Sequence, residues 1–246
     1  MRAPSASELM HVWERGLTRT PVDRSLAILE VACPDMLKED IAKLSIGERD
    51  SRLLTLRQWL FGNNITSASN CPHCNELMEW STNTDELRVQ PLEYDTPQQE
   101  HLIDHLDYQV EFRLPNSIDL IAIDQINDIA VASQTLLKRC VSRIERKGKV
   151  VPISRLPQRL RQKILTKMAQ ADPQADLRVE LICANCQHKW EATFDIVSFL
   201  WSEIQAWAKQ TLRAVHILAR SYGWREEDIL NMSPMRRQLY LKIAGY

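Results

Sequence analysis

The first 62 residues carry apolar side chains at the three- and four-residue spacing that is typical of amphipathic helices. Capping signals at Ser5, Thr20 and Ser45 place the starts of three predicted helices. Glycines are positioned to end the first and the third of them. We therefore predict that residues 1–62 form a group of N-terminal helices.

Beyond this point the pattern changes to short alternating stretches, which are typical of half-buried strands. Such stretches precede and follow a Cys-x-x-Cys motif at 71–74, and they do the same around a second motif at 183–186. The two regions repeat one another in order and spacing. We predict two hairpins, each with a pair of thiols at its tip, that together form a split zinc-ribbon-like element from residues 63–107 and 177–197.

The segment between the hairpins, 108–176, is predicted as an insertion of one strand and several helices, many of them basic. A long amphipathic helix and a helical tail follow over 198–246, with Gly223 as the stop of the long helix. The elements predicted in the middle of the chain are a loop at 85–105, a strand at 108–114, a helix capped by Ser117, a helix from Ala130 to Ile144, a short strand at 150–153 and a helix opened by Ser154.

The fold class predicted from these elements is α+β and mainly α, with helical layers around a small β element in one compact body. The chain has 246 residues, of which 44% are hydrophobic, and a net charge of −1. This balance gives no overall attraction to nucleic acid or to membranes. No apolar run has the length of a membrane span, and the N-terminus lacks the apolar stretch of a secretion signal, so we expect a cytoplasmic protein with reduced cysteines.

The four cysteines of the two motifs provide the ligand set of a closed tetrahedral zinc site. We predict one structural Zn²⁺ bound by Cys71, Cys74, Cys183 and Cys186. Closing a flexible loop of ~100 residues costs only a few kcal/mol, so the separation of the motifs does not oppose a shared ion. The neighbouring histidines His73 and His188 are spare ligands, and Cys33 and Cys140 fit plain core positions.

An alternative for the same cysteines is a pair of independent redox sites. Such sites normally place the first thiol at a helix N-terminus, where its pKa is lowered, and here both motifs lie between predicted strands. No P-loop, G-x-S-x-G or H-E-x-x-H motif occurs. The sequence therefore favours a protein that is not an enzyme.

Charge is segregated along the chain. Residues 76–128 are strongly acidic, whereas residues 138–167 are strongly basic. A basic run of this kind is typical of a nucleic-acid patch, which makes a zinc-ribbon nucleic-acid-binding module the alternative function. No aromatic side chain within the run is available to stack on bases, so packing against the acidic segment or simple solvation is favoured.

Several strings of residues occur together in one known group of proteins. They are 53–62, the first cysteine motif, 112–115, 172–177, the second cysteine motif, and the C-terminal strings 194–196, 199–204, 215–216, 219–224, 229–230 and 233–240. With these strings the chain, from about Leu53 onward, resembles proteins encoded in phage-tail-like contractile injection system clusters. Those proteins are in turn more distantly similar to the T-even phage baseplate hub assembly proteins. The chain departs from them at Asn75 and Gln187, where the relatives tend to have glycine.

The resemblance implies a component of a baseplate or hub, or a chaperone that helps to assemble one, acting by contact with baseplate, hub or tail proteins. The surface for such contacts is expected on the C-terminal helices. The candidate partner-binding residues are Trp201, Trp207, Tyr222, Trp224, Arg236, Arg237 and Tyr240.

Overall fold

The computed structural model describes residues 1–89 and 100–246 and has an α+β fold in which helices predominate. The fold class predicted from the sequence is therefore confirmed. Within the described part of the chain, the strands form a hairpin, a four-stranded antiparallel sheet and a second hairpin. The two hairpins are the predicted ones that carry the cysteine motifs.

Four helices form the N-terminal part of the chain. The predicted caps are confirmed, because the hydroxyls of Ser5, Thr20 and Ser45 each accept a hydrogen bond from a backbone N–H three residues later. The short third helix was not predicted; it has no side-chain cap, and Ile41 is its buried apolar residue. The helices are α1 (Ala6–Gly16), α2 (Pro21–Ala32), α3 (Lys38–Lys43) and α4 (Ile46–Phe61).

The first hairpin consists of β1 (Asn64–Asn70) and β2 (Leu77–Asn83), and the second of β7 (Arg178–Ile182) and β8 (Lys189–Thr193). In both hairpins the strands pair without a register shift up to the residue next to the cysteine motif. Each motif is therefore a tight turn at the end of a regular ladder, which is the position that the sequence predicts.

The four-stranded sheet belongs to the inserted segment and has the order β3-β4-β5-β6. Three helices, α5, α6 and α7, accompany it, so the insertion has its own α+β character. The bounds are β3 (His101–His105), β4 (Tyr108–Phe112), α5 (Ser117–Ile123), α6 (Ile129–Cys140), β5 (Val141–Arg146), β6 (Lys149–Val150) and α7 (Gln158–Ala171).

The insertion contains most of the errors of the sequence prediction. The helix predicted from Ala130 to Ile144 ends at Cys140, and the chain continues as β5 because Val141 and Ile144 pair with β4. A β-bulge between Glu111 and Phe112 accommodates this pairing. Tertiary pairing here prevails over the helical spacing of the sequence.

Three further predictions in this region also change. Of the loop predicted at 85–105, residues 90–99 lie outside the described residues, and 101–105 form β3, which pairs with β4. The cap of α5 is Asn116 rather than Ser117. Ser154 opens no helix and lies in the middle of a short 3₁₀ turn, Ile153–Arg155, and α7 begins later, after Pro157.

The C-terminal part begins with α8 (Ile196–Tyr222), which is 27 residues long. The Asp195 carboxylate caps its start by accepting the Val197 N–H at 2.9 Å, and Gly223 ends it in the left-handed conformation with a φ of 71°. Two shorter helices follow, α9 (Glu226–Leu230) and α10 (Pro234–Ile243).

Two hydrophobic cores lie beneath these elements. The first contains residues of α1–α4, the first part of α8 and the bases of both hairpins, including Ile65 and Phe194. The second lies between the four-stranded sheet and helices α6 and α7 and includes Phe112 and Ile164. The hairpins therefore belong to the N-terminal core, whereas the insertion builds a core of its own.

Buried polar contacts join the insertion to the N-terminus of α4. Ser45 forms an isolated β-bridge with Asn116, and the Gly47 N–H donates to the Asp172 carboxylate at 2.9 Å. Nearby, the side-chain NH₂ of Gln174 donates to the Leu87 carbonyl, and the side-chain oxygen of Gln174 accepts a hydrogen bond from the backbone N–H of Val89. These contacts satisfy the helix N-terminus and fix the insertion against the first core.

Candidate metal centre and partner surface

The structure brings the four predicted cysteines together, although they lie in two distant parts of the sequence. The distance is 3.7 Å between the sulfurs of Cys71 and Cys186 and 3.5 Å between those of Cys74 and Cys183. All four sulfurs lie within 4.8 Å of one another. Each hairpin tip therefore supplies two thiols to one cluster.

The spacing of the sulfurs fits a tetrahedral metal site. Four thiolates at about 2.3 Å from a zinc ion have sulfur–sulfur distances of about 3.8 Å. The cross-hairpin distances of 3.5 and 3.7 Å are close to this value. The six cysteines of the chain are all free, so no disulfide competes for these sulfurs. The donor set could therefore hold a metal ion.

Each Cys-x-x-Cys motif forms a tight turn, which we call a knuckle, and backbone hydrogen bonds stabilise it. The N–H of Asn75 donates to the carbonyl of Cys71 at 2.8 Å, and the N–H of Gln187 donates to the carbonyl of Cys183 at 2.9 Å. Both residues after the second cysteine have a positive φ, of 60° at Asn75 and 58° at Gln187. The two positions where glycine is usual thus keep the left-handed conformation without glycine.

The thiols of the cluster differ in their ionisation. Desolvation raises the pKa of the Cys71 thiol, but backbone N–H groups of Cys74 and His73 and the Cys186 thiol outweigh it and lower the pKa to about 7. At Cys186, a backbone N–H from His188 lowers the pKa, whereas desolvation and the other three thiols raise it to about 12. Four thiolates so close together repel one another, and a divalent cation would remove this conflict.

The spare histidines lie beside the cluster without joining it. The rings of His73 and His188 stack on each other with their centroids 5.5 Å apart, one from each hairpin tip. Neither is part of the group of donor atoms that lie within 4.8 Å of one another. The histidine pair therefore adds contact between the hairpins, and the four sulfurs remain the candidate ligands.

The cluster is connected to the first core through aromatic side chains. Trp80 of β2 donates its indole N–H to the Ser69 hydroxyl at 3.1 Å and meets Phe194 edge to face at 6.1 Å. Phe194 in turn packs against Phe199 of α8 at 5.3 Å. A metal in the cluster would therefore fix both hairpins where α8 begins.

The structure does not place either Cys-x-x-Cys motif in the setting that is usual for a redox pair. Both motifs join two antiparallel strands, and neither stands at the start of a helix. The pKa of Cys71 is lowered by backbone N–H groups of the turn and by a neighbouring thiol. A metal-binding turn provides the same groups, so the lowered pKa does not indicate a redox site. The geometry thus favours a shared ion over two redox sites.

The candidate partner-binding residues separate into three groups. Trp201 is buried in the first core and Arg237 is only 7% exposed, which corrects the expectation that both lie on a partner surface. Trp207 is partly buried and packs against the same core. Of the four remaining candidates, Tyr222, Trp224, Arg236 and Tyr240, only Arg236 is exposed, and the other three are partly buried.

The third group is an aromatic cluster at the junction of α8 and α10. The rings of Tyr222 and Trp224 stack at 4.5 Å, and Tyr240 meets Trp224 edge to face at 4.7 Å. The Tyr222 hydroxyl donates to the Tyr240 carbonyl at 3.3 Å, and the Arg236 guanidinium lies 5.8 Å from the Tyr240 ring centroid. These aromatic side chains hold α10 on α8.

The basic run of residues 138–167 is divided among the last turn of α6, the four-stranded sheet, α7 and the segment between the sheet and α7. Part of it packs against the acidic segment, since Arg139 pairs with the buried Asp119 at 2.8 Å and Arg146 pairs with Asp107 at 2.8 Å. The predicted contact between the basic and acidic segments is thus present for these residues.

Among residues 1–89 and 100–246, no helix is both long enough and apolar enough to cross a membrane.

In comparisons with known proteins, the T4 bacteriophage base plate protein family matches residues 17–201. Neither a curated protein nor a solved structure matches the chain. The matched range is more than half of the chain, includes both cysteine motifs and ends within α8. The relation to phage baseplate proteins that the sequence indicates is confirmed, and the chain belongs to the T4 bacteriophage base plate protein family.

Proposed function

We propose that this chain is a non-enzymatic structural component of the baseplate or hub of a phage-tail-like contractile particle, with a structural Zn²⁺ bound by its four cysteines. The observation that carries the proposal is the family match over residues 17–201, which includes both hairpins and the helices that pack on them. A baseplate component acts through contacts with neighbouring subunits. The proposal therefore assigns the chain a binding role in the particle.

The donor set supports the structural role of the zinc. Four sulfur ligands complete a tetrahedral shell and leave no position for water or substrate, so the ion would hold the fold and do no chemistry. The sulfurs come from two hairpins that are joined by the whole insertion. A zinc ion there would close the insertion at its base and keep both hairpins against the first core.

Particles isolated by sedimentation provide the test of this function. We expect the chain to be present in them at a fixed ratio to the tube and sheath subunits, measured by quantitative mass spectrometry. Deletion of the gene should also prevent assembly of the baseplate. Absence from particles combined with failed assembly would instead identify an assembly chaperone, and normal assembly without the chain would refute both roles.

The role of the cysteines in the particle needs a matched pair of variants. Cys183→Ser removes a candidate ligand, whereas Cys33→Ser changes a cysteine that is buried in the first core away from the cluster. We expect the first variant to be lost from particles and the second to be incorporated. Equal incorporation of both variants would show that the chain enters the particle without needing the metal.

A further inference from the structure

The outer face of α10 carries large apolar side chains that nothing in the described chain covers. Met235, Leu239 and Ile243 are exposed by 78%, 54% and 74%. They follow one another at intervals of four residues, so they lie on one face of the helix and extend over about 12 Å. We call these three residues the α10 stripe.

The opposite face of the same helix has the reverse character. Arg237 is 7% exposed, and its Nη1 has no hydrogen-bond partner in the described part of the chain. Burial lowers the pKa of this guanidinium, which is the direction expected for a cation without a counter-ion. A helix that places apolar groups outward and an unpaired arginine inward is not satisfied by its own chain.

The charged side chains of the segment that carries the α10 stripe have a single sign. Residues 233–246 contain Arg236, Arg237 and Lys242 and no acidic residue. None of these three cations forms an ion pair with the residues that the structure describes. A binding surface with an apolar centre and unpaired cations beside it is complementary to a segment that combines apolar and acidic side chains.

The position of α10 is nevertheless well defined. The cluster of Tyr222, Trp224 and Tyr240 holds the helix on the end of α8. The α10 stripe is therefore presented on a fixed support, as is typical of a surface that is preorganised for binding.

We propose that the α10 stripe is the docking surface for an acidic amphipathic segment of a neighbouring baseplate subunit. The apolar side of that segment covers Met235, Leu239 and Ile243, and its carboxylates pair with the exposed cations Arg236 and Lys242. This inference rests on the proposed function, because it names the surface through which the chain meets its neighbour.

The test uses the purified full-length chain and each purified baseplate subunit of the same particle as the probe. We expect one subunit to bind, and Leu239→Asp to weaken its affinity by about tenfold or more. The matched control is Leu106→Asp, the same change at a leucine that is 91% exposed in the β3–β4 turn and has a positive φ. We expect this control to bind like the unchanged chain and both variants to keep their thermal stability.

The acidic character of the partner has its own readout. Arg236→Glu should weaken binding of the same subunit, and the loss should shrink as salt is raised, because salt screens exposed charges. Arg236→Gln should have an intermediate effect. An unchanged affinity for Arg236→Glu would refute the acidic partner.

Other outcomes overturn the proposal. If Leu239→Asp binds as tightly as the control, or if no subunit binds although the chain is present in particles, the docking surface is elsewhere while the baseplate role stands. If light scattering shows a dimer that only Leu239→Asp dissociates, the occupant is a second copy of this chain. If the chain is absent from particles and assembly proceeds without it, the proposed function itself fails.

Discussion

The backbone N–H of Gly47 donates a hydrogen bond of 2.9 Å to the carboxylate of Asp172, across 125 residues of sequence. Gly47 lies in the first turn of α4, and Asp172 lies directly after α7. The carboxylate is buried and satisfies one of the unpaired N–H groups at the helix start. The same residue pair brings the insertion against the first core so closely that no side chain fits between them.

A β-carbon at position 47 would overlap the Asp172 carboxylate and come within 3.0 Å of the backbone nitrogen of Ala175. Alanine normally stabilises a helix relative to glycine by about 1 kcal/mol. We expect the opposite here: Gly47→Ala should lower the free energy of unfolding by about 1–3 kcal/mol, measured by urea denaturation, because the contact is overpacked.

A double-mutant cycle identifies the source of that loss. In an Asp172→Ala background the carboxylate is absent, so Gly47→Ala should cost clearly less than it does in the unchanged chain. Equal costs in the two backgrounds would show that the contact between residues 47 and 172 does not limit the fit of α4.

Asp50 of α4 should make the stability depend on pH in an unusual direction. Desolvation, with smaller contributions from the nearby Asp195 and Asp172, raises the pKa of its carboxyl to about 6, although Arg49 donates to it at 2.7 Å and opposes the shift. A carboxyl whose pKa is raised on folding binds its proton more tightly in the folded state. Its contribution to stability therefore grows as the pH falls through about 6 and is lost as the pH rises through that value.

The variant Asp50→Asn keeps the shape and removes the titration. As the pH falls from about 7 to about 4, we expect the free energy of unfolding of the variant to gain less, or to lose more, than that of the unchanged chain, by up to about 2–3 kcal/mol. Denaturation curves at several pH values measure this difference. The control is Asp40→Asn at a half-exposed carboxylate of α3, and a slope that is the same in all three proteins would contradict the assignment.

The local parts of the fold could be predicted from the sequence because their causes are local. The caps at Ser5, Thr20 and Ser45 act within one helical turn, and the cysteine spacing fixes the two knuckle turns. The doubled strand–knuckle–strand order also indicated that four cysteines would meet. This meeting of the four cysteines can be predicted without knowing the structure of the insertion, because the Cys-x-x-Cys motifs lie at the tips of the two hairpins.

The remaining features depend on contacts that are distant in sequence. Val141 and Ile144 follow helical spacing, and only pairing with β4 makes their segment a strand. Asp172 was visible as part of a string typical of the family, but its partner at Gly47 is 125 positions away. The expectation of a partner surface on the C-terminal helices includes Trp201 and Arg237, whereas packing against neighbouring elements buries both side chains.

The shared metal ion is the next prediction. We expect one zinc per chain by elemental analysis of purified protein, and we expect Cys71→Ser and Cys183→Ser each to lose it and to unfold at a lower temperature. Cys140→Ser, which changes a buried cysteine of the second core, should keep the metal. Retention of zinc with unchanged stability in Cys183→Ser would show that the first knuckle does not share its ion with the second.

The two left-handed knuckle positions yield the last prediction. Asn75 and Gln187 have φ values of 60° and 58°, a region that costs most side chains roughly 1–2 kcal/mol and asparagine less. Glycine removes this strain but loses more entropy on folding. We therefore expect Gln187→Gly to raise the free energy of unfolding of the metal-loaded chain by up to about 1 kcal/mol, and Asn75→Gly to raise it less.

The control for this comparison is Gln187→Ala, which shortens the side chain without relieving the backbone. The lost hydrogen bond from the Gln187 amide to the Ala184 carbonyl, 3.2 Å long, is common to both variants of this residue. A stability gain for glycine but not for alanine therefore isolates the backbone strain. If alanine stabilises the chain as much as glycine does, the side chain and not the left-handed backbone is responsible, and the knuckle tolerates its missing glycine without strain.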